Sequence, residues 1–209
     1  DHVIPFSVSR EYAEKGFKDY VCKKKFVPRA FYNKKQVESI TGVYFPYWHY
    51  NTRLEGKMQG EARNVRVWRT GNTEYTETKY YQVSREGDVK LENLTENALG
   101  KANQELICGV MPYDFKDLKK FQLGFLSGFL AEKRDIEKKQ IEKKVQQEAR
   151  ESAEKLMREQ INGYSSVSVK NADFRALKEK WSYTLLPVWT ITYKAKNGKI
   201  YYFSMNGQT

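Results

Sequence analysis

The residue types that most often carry catalysis or bind metals are scarce in this chain. The sequence has two cysteines, Cys22 and Cys108, and two histidines, His2 and His49. A structural zinc site needs four ligands, usually in closely spaced pairs, and these residues do not form such pairs. We therefore expect no metal or other cofactor bound by this chain. Two cysteines without a disulfide pattern indicate a reducing compartment, which predicts a cytoplasmic protein.

Motifs of the common catalytic sites are also missing from the sequence. There is no Gly-rich phosphate loop, no GxSxG nucleophile motif and no HExxH zinc motif. Ser152 and Lys155 match the SxxK pattern in letters, but they lie in a run of charged helix formers, which is typical of a solvated surface. His49 follows Trp48 in an apolar run, where packing is the commoner role. We therefore expect no enzymatic activity.

The remaining chemical signal is positive charge interleaved with aromatic rings. The formal net charge is +11, and most of the excess lies in residues 1–50 and 163–209. Such charge favours acidic partners, although solubility alone would also account for it. Basic, aromatic sheet faces bind single-stranded nucleic acid, whereas the same rings on strands also fill cores. The candidate nucleic-acid-binding residues are Arg63, Arg66, Arg69, Lys194, Lys196, Lys199 and Tyr201.

A second group of basic residues lies near the N-terminus, in two short lysine clusters. Clusters of this kind bind anionic lipid headgroups, and they also suit an acidic protein surface. The candidate membrane or partner contacts are Lys23, Lys24, Lys25, Lys34 and Lys35.

The elements that would position these residues follow from periodicity and turn signals. Ser9 is placed to cap a helix running from Arg10 to about Lys25. Residues 42–112 then alternate as strands and turns, which predicts an antiparallel β-meander. One hairpin turn is expected at Arg53–Lys57 and another at Gly71-Asn72. Near the end of the chain, Asn197-Gly198 predicts a closing hairpin.

A long helical excursion is predicted between the two β-rich regions. Phe121, Phe125 and Phe129 recur at helical spacing, and residues 132–160 are rich in Glu, Lys, Gln and Arg. Their sparse apolar stripe includes Ile141, Val145 and Leu156. It is narrower than a globular helix needs, which suggests either a solvated helix held by ion pairs or a helix-mediated dimer.

Together these patterns predict a single α+β domain over residues 1–209, with antiparallel β-sheet segments, an N-terminal helix and a long charged helical insertion. Its parts are an N-terminal helix and connector (1–41), a β-meander (42–112), a helical excursion (113–162) and a closing β-hairpin (163–209).

Several motifs occur in a fixed order along nearly the whole chain: Ile4-Pro5-Phe6, GVYFPYW at 42–48, MPYDF at 111–115, FLSGFLAE at 125–132, LLPVW at 185–189 and the 201–208 segment. They resemble the motifs of a bacterial family of TFIIB-type zinc-ribbon-containing proteins. The resemblance implies a zinc ribbon before Asp1 and a continuation past Thr209, towards a hydrophobic segment in some members. Zinc is thus implied only for a ribbon outside this chain, and that outside segment could tether the protein to a membrane. The family offers no catalytic residue to transfer.

The sequence therefore predicts a non-enzymatic binding or scaffold domain that accompanies a zinc ribbon and contacts a protein partner. One alternative is a nucleic-acid-binding domain that uses a basic, aromatic sheet face. Another is a peripheral membrane domain held against an anionic surface.

Overall fold

Long β-strands make up most of the structure, a computed structural model that describes residues 1–23, 37–100, 109–194 and 200–209. Among these residues, strands account for 55% and α- and 3-10 helices together for 23%. In chain order the elements are β1 (His2–Val3), α1 (Arg10–Lys23), β2 (Val37–Thr70), β3 (Thr73–Asn97), β4 (Lys119–Lys120), β5 (Leu130–Ala131), α2 (Lys138–Glu159), β6 (Ser166–Lys194) and β7 (Ile200–Asn206).

The seven strands form a mixed sheet. Its order is β3-β2-β6-β1-β4, with β5 paired to β2 and β7 paired to β6. β1 runs parallel to β6 and β5 runs parallel to β2, whereas β1–β4 and β6–β7 are antiparallel. The predicted α+β fold with a long charged helical insertion is therefore wrong, because a large mixed sheet dominates and the described residues contain two α-helices.

The error lies mainly in the helical excursion predicted for residues 113–162. α2 is the α-helix of this region, and what precedes it is two short 3-10 turns, Phe115–Asp117 and Leu123–Leu126, with β4 and β5. Gly128 has φ +82°, which a right-handed helix does not accommodate. The phenylalanines spaced for a helix pack instead against the core cluster of Val3, Tyr44 and Leu185.

The hairpin turn predicted at Arg53–Lys57 is also absent, because these residues lie inside β2. Side chains alternate there between buried and exposed. A Cβ atom at Gly56 would lie 2.5 Å from the Phe174 ring and 2.7 Å from the Met157 Sδ. Gly56 therefore leaves room for packed side chains and does not mark a turn.

The N-terminal helix α1 covers Arg10–Lys23, and its predicted last residues, Lys24 and Lys25, lie outside the described residues. Ser9 Oγ accepts a hydrogen bond from the Tyr12 backbone N–H at 3.3 Å, which is the expected capping contact. Neither helix of the described ranges is long and apolar enough to cross a membrane.

Contacts divide the chain into two compact units. Unit 1 comprises residues 1–49, 95–138 and 182–209, and unit 2 comprises residues 50–94 and 139–181. The interpretation of residues 1–209 as a single domain stays a prediction.

The core of unit 1 includes a cluster of aromatic rings around Phe6. The Phe6 ring stacks on Phe129 at 4.1 Å and meets the rings of Tyr44 and Trp189 edge-on at 5.0 and 5.1 Å. Trp189 also donates its indole N–H to the Val8 carbonyl at 2.9 Å. Edge-on and stacked ring pairs stabilise a core beyond their buried area, so this cluster fixes the segment after β1 against β2 and β6.

The chain segment Asn206-Gly207-Gln208 joins several parts of unit 1 by hydrogen bonds. The Gln208 amide accepts from the Asp114 N–H at 2.8 Å and donates to the Asp114 carbonyl and the Asp117 carboxylate at 2.9 and 2.7 Å. Gly207 accepts from the N–H groups of Ser7 and Val8, both at 2.9 Å. Because Gln208 is only 8% exposed, these bonds satisfy groups that water reaches poorly.

Unit 2 is built from α2 and the strand segments of β2, β3 and β6. Residues of α2 at a spacing of four are buried: Ile141, Val145, Ala149, Ala153 and Met157. Alternate residues of β2 are buried as well, including Tyr50, Thr52, Leu54, Met58 and Ala62. The strand period of two and the helix period near four thus each present one apolar face to the core.

The opposite face of the same strands carries ion pairs. Arg53 pairs with Asp88 and Lys57 with Glu86 across β2 and β3, while Arg175 and Lys170 of β6 pair with Glu55 and Glu61 of β2. Each pair is solvent-exposed, so each stabilises the fold only slightly. Their main effect is to leave this face close to electrically neutral.

Replacing Gln208 tests whether its hydrogen bonds hold unit 1 together. Gln208→Ala should lower the free energy of unfolding by about 2 kcal/mol, because it removes the hydrogen bonds that the buried Gln208 amide makes with Asp114 and Asp117. Urea denaturation measures the change. Thr209→Ala is the matched control: Thr209 is exposed and bonds Asn206 through its backbone, so it should change the value by less than about 0.5 kcal/mol. Equal stabilities for the two variants would contradict this role.

Candidate binding arm

The far end of the β2–β3 hairpin extends beyond the packed part of unit 2. Ala62 is 1% exposed, but no residue from 63 to 90 is buried. We call residues 63–81 the arm. It is closed by the two-residue turn Gly71-Asn72, where Gly71 has φ +61° at the first central position, as a type II′ hairpin turn requires.

The turn determines which side chains of the arm share a face. A two-residue turn places Trp68 opposite Tyr75, and their rings stack at 5.6 Å with 13° between planes. The Arg66 guanidinium lies 5.6 Å from the centre of the Trp68 ring, within the range of a cation–π contact. We call the face that carries Arg66, Trp68 and Tyr75 the stacked face.

The other face of the arm presents different chemistry. Because side chains alternate along a strand, Arg63, Val65, Val67 and Arg69 point to the side opposite Trp68. Val65 and Val67 are 42% and 55% exposed. This face is therefore an apolar strip with an arginine at each end.

Polar contacts fix the root of the arm. Arg63 Nε donates to Ser166 Oγ at 2.7 Å, and the Val65 N–H donates to Ser165 Oγ at 3.0 Å. Asn64 exchanges hydrogen bonds with Gly163 and Ser165 at 3.2 and 2.8 Å. The segment between α2 and β6 thus holds the start of the arm, which restricts how the exposed end can move.

The predicted nucleic-acid residues do not all fall on one surface. Arg63 and Arg69 lie on one face of the arm and Arg66 on the other. Lys194 and Tyr201 belong to β6 and β7, but their side chains lie outside the described part of the structure, as do Lys196 and Lys199 entirely. A single basic aromatic sheet face that joins both groups therefore stays a prediction.

The predicted lysine clusters receive no test. Lys23 is the last residue of α1 and its side chain is not described, and Lys24, Lys25, Lys34 and Lys35 lie outside the described residues. A membrane or partner contact there stays a prediction.

The residues predicted for a helix-mediated dimer differ in exposure. Ile141 and Val145 are buried within unit 2, whereas Leu156 is 43% exposed.

Trp68 and Tyr75 are the binding candidates that sequence reasoning missed. The signal was present, because a two-residue turn at Gly71-Asn72 places these two rings at equal distances from it. The stacked pair becomes evident only when the two strands are aligned about the turn.

His49, for which the sequence favours a packing role, is 3% exposed. Its ring stacks on Phe115 at 4.7 Å, and its Nδ1 lies 3.3 Å from Ser182 Oγ. No group of three or more His, Cys, Asp or Glu side chains within the described residues is placed to hold a metal ion. The expectations of no enzymatic activity and no cofactor stay predictions.

A polar cluster in unit 2 brings the buried Tyr50 and the exposed Glu179 together. The Tyr50 hydroxyl donates to the Glu179 carboxylate, which also accepts from Gln146 Nε2 of α2 at 2.9 Å. Burial, and then the hydrogen bond and negative charge of Glu179, raise the pKa of Tyr50 to about 12. The phenol is therefore a neutral donor at physiological pH, which suits attachment of α2 to the sheet better than proton transfer.

Comparison with known proteins adds one relative. Over 207 residues the chain is 28% identical to YdjG of Bacillus subtilis (strain 168), described as an uncharacterized protein. The match covers 99% of this chain and 60% of the relative, so the chain spans less than two thirds of that protein's length. No family model and no solved structure matches the chain. The resemblance to the zinc-ribbon family therefore stays a prediction.

The Tyr50 hydroxyl gives a pH test of the cluster. An unfolded phenol ionises at about pH 10, whereas the environment of folded Tyr50 raises its pKa to about 12. The stabilising effect of the raised pKa is thus complete below about pH 10 and is lost as pH rises towards 12. Urea denaturation should show wild type losing its advantage over Tyr50→Phe across this range.

Glu179→Gln is the companion variant for the same measurement. It removes the negative charge that disfavours the phenolate, so the alkaline loss of stability should begin at lower pH than in wild type. Parallel pH profiles for wild type and Tyr50→Phe would show that this hydroxyl does not titrate as described.

Proposed function

We propose that this chain is a non-enzymatic binding domain that holds a protein partner with the arm. The observation that carries the proposal is the exposure of large apolar side chains on a hairpin with no buried residue. Their exposed fractions run from 39% to 72%. They are Val65, Val67, Trp68, Tyr75, Tyr80 and Tyr81.

The physical cost of such a hairpin supports a binding role. A two-stranded ribbon is only marginally stable by itself in water, and its exposed rings forgo the burial that would stabilise it. The bonds at its root keep it ordered and leave the Trp68 and Tyr75 rings exposed, while the Tyr81 ring contacts Tyr164 at 5.2 Å. Trp, Tyr and Arg are also the residue types that contribute most to protein interfaces, and the arm presents all three within one stacked group.

The charge of the arm favours a protein over a polyanion. Residues 63–81 contain four basic and two acidic side chains, a small excess. The neighbouring face of unit 2 is a set of balanced ion pairs, so it adds no strong positive field. Apolar and aromatic contacts therefore outweigh phosphate attraction on this element.

Single-stranded nucleic acid is the second candidate partner, and the stacked face is the observation that favours it. Bases stack on exposed aromatic rings at a gain of about 1–3 kcal/mol each, and Trp68 and Tyr75 supply two adjacent rings. Arg66 beside Trp68, with Arg63 and Arg69 on the reverse face, would meet the phosphates.

A photo-crosslinking amino acid at Val67 tests the protein partner directly. UV irradiation in cell extract should give a protein adduct at position 67 and none at Lys90, an exposed control site on β3. Adding Val65→Asp, on the same face of the arm as Val67, should reduce the adduct at least about tenfold, because partner binding would then bury an unpaired charge in an apolar contact. Equal adducts from both sites, or an adduct that persists in Val65→Asp, would contradict the proposal.

Titration with labelled oligonucleotides at two salt concentrations tests the second candidate. Binding should weaken steeply with salt if phosphates are contacted, and it should weaken at least about tenfold in Trp68→Ala and little in Lys90→Ala. An absence of binding at low salt would remove nucleic acid from consideration and leave the protein proposal standing.

A further inference from the structure

β3 has an open edge along the arm. It is the terminal strand of the sheet, and β2 is its one partner strand among the described residues. Proteins protect such edges with proline, bulges or inward charges. Residues 73–84 contain no proline, and the one described residue of β3 with positive φ, Asn93, lies far along the strand.

The hydrogen-bonding direction of this edge follows from the contacts at the arm's root. The turn places Thr78 opposite Val65, and the Val65 N–H donates to Ser165 Oγ, on the β6 side of β2. Val65 and Thr78 therefore form a non-hydrogen-bonded pair, so the Thr78 N–H and C=O point away from β2. The even-numbered residues 74–82 of β3 present their backbone groups to the open edge in the same way.

We propose that two copies of this chain associate by antiparallel pairing of their β3 edges, with the two-fold axis at Thr78. This inference rests on the edge of β3 and does not depend on the proposed binding function. Pairing about Thr78 satisfies the outward backbone groups of both copies. It joins the two arms into a four-stranded ribbon in the order β2-β3-β3-β2.

Charge complementarity selects this register. With the axis at Thr78, Glu77 of each copy lies opposite Lys79 of the other, which gives two favourable cross-strand pairs. Both side chains are exposed, at 42% and 61%, and they already approach each other along the strand at 3.6 Å. With the axis at residue 77 or 79, Glu77 or Lys79 would lie opposite the same residue of the other copy. With the axis at residue 76 or 80, Glu77 and Lys79 would each lie opposite an uncharged residue.

The same register extends the stacked face. Directly opposed residues share a face of the sheet, so Tyr75 of one copy lies opposite Tyr81 of the other. Each stacked pair then continues as the row Trp68, Tyr75 and the second copy's Tyr81. Neighbouring rings of this kind stabilise a sheet beyond their buried area, and they are 41%, 46% and 39% exposed in a single copy.

Charge reversal at the two opposed positions tests the pairing. Sedimentation velocity over a concentration series should show a monomer–dimer equilibrium for the wild-type chain. Glu77→Lys and Lys79→Glu should each weaken association by about tenfold or more, because either change opposes like charges twice. The double variant Glu77→Lys/Lys79→Glu restores opposite charges in the same register and should recover association to within about threefold of wild type.

Circular dichroism of all four proteins establishes that the exposed substitutions leave the fold intact. A wild-type chain that stays monomeric at every concentration would overturn the proposal. So would a double variant as weak as the single ones, or single variants that associate like wild type. A loss of dimer that leaves the crosslink at position 67 unchanged would separate this interface from the proposed partner site.

Discussion

The backbone turn at Asn206-Gly207-Gln208 is the constraint on which unit 1 depends, because it hydrogen-bonds three segments that are far apart in sequence. Its partners lie after β1, in the loop before β4 and within β6 at Pro187. Gly207 is required there because a Cβ atom would lie 2.5 Å from the Phe6 ring and 2.9 Å from Pro187 Cβ. The Asn206 amide donates to the carbonyls of Val110 and Pro112 at 2.9 and 2.8 Å. The last residues of the chain thus act as an internal connector that fixes the aromatic cluster.

The elements that could be predicted from the sequence are those with strong local signals. Ser9 before an amphipathic run predicts the start of α1, and Gly-Asn after Thr70 predicts the turn that closes the arm. Residues 121–129 lack such local control. Their phenylalanines repeat every four residues, but Gly124 and Gly128 weaken a helix, and the rings gain more by packing against Tyr44 and its neighbours. Tertiary packing therefore overrides a helical period that is correct in spacing alone.

The candidate site was predictable to the same limited extent. Arg63, Arg66 and Arg69 recur every three residues, and a list of basic residues groups them. A strand with a period of two separates them onto two faces, so the grouping fails once the strand is recognised. Gly56 was mistaken for a turn residue for a different reason. Its role is to leave room for Phe174 and Met157, which are distant in sequence. Contacts of that kind require the fold.

The alternation that runs along β2 links the buried core of unit 2 to the stacked face. Even-numbered residues of β2 share one side of the strand. They include both the packed residues and the exposed ones: Tyr50, Leu54, Met58, Ala62, Arg66 and Trp68. An insertion or deletion of a single residue between Ala62 and Trp68 would rotate the end of the arm by half a turn and exchange its two surfaces. Length changes of two residues on each strand therefore keep the two surfaces of this hairpin, whereas odd changes exchange their chemistry.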